Sequence, residues 1–181
     1  MIFGLSLSTF TTVHVVLSLI GIASGVLVLL RPSASTKASS LNTLFLATTI
    51  AASITGLLFI VAFPRFRLGH TLGVVSLAVL VPTMLALYRR RLAGLWRGVF
   101  VAGASGALYL NAFIAVMQAF GKIDFLRALP PTALASPLLL AQLLLVATCV
   151  WLGFHAYTRL ELRSAPHRAR PWRLRVADRW G

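Results

Sequence analysis

Long apolar runs alternate with short polar or basic breaks along this chain, and five of those runs are long enough to matter. The uncharged stretches lie at about 9–30, 41–63, 70–88, 98–120 and 137–158. Each approaches the roughly 20 apolar residues of helix needed to cross a hydrocarbon slab about 30 Å thick. In lipid the backbone must satisfy its own hydrogen bonds, so such runs predict helices. The alternation over roughly 10 residues that marks an outer-membrane barrel strand is absent. The expected fold is therefore an all-α bundle of five transmembrane helices over residues 1–158, followed by a basic tail over 159–181. The breaks carry helix-ending residues: Arg31-Pro32, Pro64-Arg65, Arg89-Arg90-Arg91, and a longer loop from Gly121 to Ser136 with Pro130 and Pro131 as breakers. Pro82 predicts a kink in the third span. The first run is longer than the roughly 7–15 residues of a signal-peptide core and has no basic residues before it, so it is expected to stay as a span.

Composition agrees with a membrane setting and changes the meaning of the charge. Of 181 residues, 59% are hydrophobic and 11% charged. A net charge of +14 would suggest nucleic acid in a soluble protein. Here the basic residues fill the breaks and the tail, where they set topology and meet lipid headgroups, and no nucleic-acid partner is expected. Arg31, Lys37, Arg89, Arg90, Arg91 and Arg97 fall on one side with seven tail arginines, against Arg65, Arg67, Lys122 and Arg127 on the other. The first side is expected to be cytoplasmic, which places the N-terminus outside. The tail mixes its arginines with Trp172 and Trp180 and is expected to contact anionic lipid headgroups, with docking on a partner membrane subunit as the alternative.

Small and polar residues share helix faces. His14, Ser18, Gly21 and Gly25 recur at helical spacing in the first span, and Gly21 and Gly25 allow close backbone approach. The second span offers the hydroxyls Thr48, Thr49, Ser53 and Thr55. The fourth carries Gly103, Ala107, Asn111 and Gln118 on one side, and the fifth Gln142, Cys149 and Gly153. Cys149 is the one cysteine, so no intrachain disulfide can form.

Candidate chemistry is sparse. No P-loop, G-x-S-x-G, H-E-x-x-H or C-x-x-C is present, and the three acids, Asp124, Glu161 and Asp178, lie outside the spans. Catalysis is not expected, and a small-solute carrier is a third-ranked reading without an intramembrane carboxylate. One constellation stands out: His14, His70, Asn111, Gln118 and Gln142 all fall in the outer half of their spans, with Arg65 and Arg67 just above. Two histidines from different helices can ligate a b-type haem, with the arginines meeting its propionates, or hydrogen-bond a quinone. Helix packing explains the same residues without any ligand.

The stretches TVHVVLSLIGIASG, SITGLLF and LYLNAFIAVMQAFGK, within residues 8–158, resemble small multi-pass bacterial membrane proteins of unassigned function. That resemblance implies a bacterial cytoplasmic (inner) membrane and brings no functional residues with it. The function expected is that of an accessory or interaction protein, the alternative being a redox component that binds haem or quinone through His14 and His70. A reporter active only in the cytoplasm should work when fused after Gly181 and fail within the Gly121–Ser136 segment; the same result from both fusions would contradict a five-span count.

Overall fold

In the computed structural model, residues 4–32, 39–61, 68–127 and 131–164 are described. The helices are α1 (Leu7–Leu30), α2 (Ser40–Leu58), α3 (Leu68–Met84), α4 (Trp96–Lys122), the single turn α5 (Asp124–Arg127) and α6 (Pro131–Ser164). No strand occurs among the described residues. Five helices are long and apolar enough to cross a membrane: Leu7–Leu30, Ser40–Val61, Leu68–Arg89, Trp96–Lys122 and Ser136–Leu162.

Helix limits differ from the hydropathy limits because hydrogen bonding, not apolarity, ends a helix. Ser6 caps α1 by accepting from the Thr9 N–H at 3.1 Å, and Ser39 caps α2 by accepting from the Asn42 N–H at 3.3 Å. The Phe59–Val61 segment finishes α2 as a 3₁₀ turn. The largest correction concerns the loop expected at Gly121–Ser136. Pro131 does not break a helix but opens α6. At the first helical position a missing N–H leaves no bond unmade, and the fixed φ suits the helix. At the other end, α6 runs six residues beyond Thr158, to Ser164, before the described residues end.

An irregularity lies just beyond Pro82. α3 continues through Pro82, then widens into a π turn over Leu85–Arg89, closed by the Arg90 N–H donating to the Leu85 carbonyl at 2.9 Å. The chain then reverses through Arg91, Leu92 and Gly94, all at positive φ. Burial of Leu92 offsets its unfavourable backbone, and Arg90 lies over the Trp96 ring at 4.9 Å.

The first four long helices form a closed ring, with α1 against α2, α2 against α3, α3 against α4 and α4 against α1, while α6 packs outside against α4 and α1. One half of this bundle is solid. Val28, Leu29, Phe45, Leu80, Phe100 and Ala104 meet there, joined from outside by Leu152, Ala156 and Leu160 of α6. The close approaches are made over glycine. A methyl group placed on Gly25 would stand 2.7 Å from the Phe45 ring, and one on Gly103 would overlap the hydroxyl of the fully buried Thr83. A methyl group on Gly69 would meet nothing, whereas one on Gly73 would stand 3.3 Å from Leu57 and from the Ser53 carbonyl. Val74, Val81, Val150, Trp151 and Phe154 face outward, as side chains bathed in lipid do.

Gly103→Ala should lower stability by about 1–3 kcal/mol through overpacking, more than the roughly 1 kcal/mol gained in helix propensity. Adding Thr83→Ala should recover most of the loss. Thermal unfolding in detergent reads both, and a neutral or stabilised single variant would contradict the α3–α4 contact.

Candidate functional site

The other half of the ring is hollow. A cavity of about 750 Å³ lies among the N-terminal halves of α1 and α3 and the C-terminal halves of α2 and α4. Those four halves meet at one end only if consecutive helices run in alternating directions. Arg31, Arg89, Arg90, Arg91, Arg97 and Arg159 consequently fall at the end away from the cavity.

Four of the residues singled out by sequence come together on its walls: His14, His70, Asn111 and Gln118. His14 is half-buried on α1. Its Nδ1 lies 2.9 Å from Thr55 Oγ1 on α2, and its ring meets Phe59 edge-on at 5.4 Å between centroids. Phe10 packs against the same Phe59 at 5.1 Å. Gly56 makes room for the imidazole, since a methyl group there would stand 3.4 Å from His14 Cε1. His70 is buried in the first turn of α3. Asn111 ties α4 to α1 by donating from Nδ2 to the Ser18 carbonyl at 3.1 Å. Gln118 is exposed and therefore at the rim. Deeper in, the Ser53 and Ser76 hydroxyls lie 3.0 Å apart between α2 and α3.

Gln142 does not join them. It stands on α6, outside the ring, and both polar atoms of its amide are buried without a hydrogen-bond partner. The expectation that it would converge with the others fails because α6 touches α4 and α1 from behind the cavity wall. Arg65 and Arg67 lie outside the described residues. Among the described residues no three His, Cys, Asp or Glu side chains gather in a way that could hold a metal ion.

Compared with known proteins, the chain matches no family model, no curated protein and no solved structure. The chemistry of the cavity therefore has to be argued from its own residues.

Sequence reasoning missed two of them. Lys122 lines the cavity from the last turn of α4, exposed at the rim. Its signal was present, because Asn111, Gln118 and Lys122 fall on one face at helical spacing. Thr55 was noticed only as a helix hydroxyl; its pairing with His14 depends on the register of α1 against α2, which no periodicity reveals.

The arrangement offers an apolar chamber, walled by Leu7, Val15, Leu72, Leu110, Ile114 and Phe59, with few polar groups aimed into it and a cation at the rim. It can hold a molecule and orient a polar head, and among the described residues no carboxylate pair lines it. Asn111→Ala should cost about 1 kcal/mol of stability by breaking the α4–α1 bond, in line with interhelical hydrogen bonds in membranes. Gln118→Ala at the rim should change stability by less than about 0.5 kcal/mol. Comparable losses for both, in thermal unfolding, would deny Asn111 its tethering role.

Proposed function

We propose that this chain is a non-catalytic accessory protein of the bacterial cytoplasmic membrane that binds one lipid-soluble small molecule of the quinone class in the cavity between α1, α2, α3 and α4. The observation that carries the reading is the meeting of His14, His70 and Asn111, from three helices, on the wall of one largely apolar chamber of about 750 Å³. Ligand sites are commonly chambers of roughly 300–1,000 Å³ with mostly apolar walls and a few placed polar groups. A water-soluble solute would find too few partners for its polar groups here. A molecule with an apolar body and a polar head loses little on leaving the bilayer and gains hydrogen bonds at its head. The cavity end is assigned to the outer face and the arginine-bearing end to the cytoplasm, from the excess of basic residues at the latter. The tail then meets anionic headgroups on the inner leaflet.

A b-type haem is the second reading, favoured by two imidazoles lining one cavity. The two differ in a simple observable. Purified protein in detergent or nanodiscs should lack a Soret band and bind decylubiquinone saturably at one site per chain. His14→Ala should weaken that binding at least tenfold. A Soret band that disappears in the His14 and His70 variants would transfer the site to haem, and failure to bind either molecule would refute a cofactor-type cavity.

A further inference from the structure

The hydrogen bonds around His14 favour one of its two neutral tautomers, and with it one kind of head group in the cavity. Thr55 has one hydroxyl proton. Its Oγ1 lies 2.8 Å from the Ala51 carbonyl and 3.1 Å from the Ala52 carbonyl, one turn back on α2. Carbonyl oxygens only accept, and a hydroxyl proton turned to either of them leaves Oγ1 to accept from His14, the arrangement that satisfies most of these groups. The 2.9 Å contact from His14 Nδ1 to the same oxygen is then an N–H donated by the imidazole. A neutral imidazole has one N–H. With that proton on Nδ1, Nε2 holds a lone pair and can only accept. Nδ1 is turned to Thr55 on α2, and Nε2 stands across the ring of this cavity-lining residue. The His14 ring also hydrogen-bonds the backbone of Ala52, on the same α2 side as Thr55.

We propose that the cavity selects the hydroxyl-bearing, reduced form of its ligand, a hydroquinone or related phenol, over the quinone, because His14 Nε2 accepts a hydrogen bond that a hydroxyl supplies and a carbonyl cannot. This rests on the reading of the cavity as a site for quinone-class molecules and adds the redox form it holds. A carbonyl oxygen set against the Nε2 lone pair would be repelled. Sites that hydrogen-bond a ligand hydroxyl discriminate strongly against analogues lacking it, because the buried group is then left unpaired.

Two measurements on the full chain in nanodiscs at pH 8, above the ordinary imidazole value of about 6.5, test this. In the ¹⁵N spectrum, His14 Nδ1 should show the pyrrole-type signal and Nε2 the pyridine-type signal, without any ligand added. The reverse assignment would overturn the inference whatever the cavity binds. In anaerobic titrations, decylubiquinol should bind at least tenfold more tightly than decylubiquinone and than the dimethyl ether of the quinol. Thr55→Val, which removes one of the two α2 groups hydrogen-bonded to the imidazole, should shrink the preference. Equal binding of all three, or preference for the quinone, would sink the selectivity while leaving a ligand cavity in place. Binding of none would remove the selectivity and the quinone reading together. Should Thr55→Val fail to fold, the spectrum of the native chain still decides the tautomer.

Discussion

Everything in this bundle depends on how closely α1 can enter the groove between α2 and α4. A methyl group on Gly21 would stand 3.0 Å from Asn111 Nδ2 and 3.2 Å from Thr49 Oγ1, and one on Gly25 would press into Phe45. No hydrophobic driving force holds helices together in lipid, because the solvent is as apolar as the side chains. Contact at short range between small residues and a few polar bonds must do so. The Gly21/Gly25 face supplies the contact, and the Asn111 bond to the Ser18 carbonyl supplies the polar tie just above it.

That clamp lies between two halves of different character. On one side Val28, Leu29, Phe45 and Leu80 close the interior completely. On the other, the same α1 face continues as Ser18 and His14, whose neighbours across the ring are Gly56, Gly73 and the paired serines, residues too small to fill the space. The hollow is thus a consequence of sequence size along a rigidly held frame. The hydroxyls of Thr48, Ser53 and Thr55 bond back to carbonyls of their own helix at 2.7–2.8 Å, which keeps them harmless in an apolar setting. Thr55 also lies 2.9 Å from His14 Nδ1, which ties α2 to α1 across the helix interface.

The place of α6 explains both what it contributes and what it does not. Cys149, Leu152, Gly153, Ala156 and Leu160 form its buried stripe against the solid half, with Gly153 admitting Ser105 of α4. Its opposite face, with Leu143, Leu144, Val150 and Phe154, remains outward. No described side chain of α6 lines the chamber, so of the five helices long and apolar enough to cross a membrane, four build the cavity.

Hydrophobic run length and the positions of the arginines were enough, without any structure, to give five spanning helices. Burial in lipid forces each such run to satisfy its backbone within itself, and that is a local requirement. The faces bearing His14, Ser18, Gly21 and Gly25, or Asn111 and Gln118, were legible for the same reason, because helical periodicity alone arranges them. Helix ends were less so: Pro131 opens a helix where a breaker was expected, since the effect of proline depends on its place in the turn. What only the tertiary structure decided is which faces look at one another. Gln142 has the same residue type and depth as its supposed partners, yet the packing order of the helices puts it behind α4 and α1. Conversely, Lys122 comes to the rim of the chamber and Thr55 becomes the partner of His14 through the register between neighbouring helices. Apolar helices of similar length slide and rotate against each other at little cost in any one residue, so that register is set by the sum of close contacts around the whole ring and is written in no single segment.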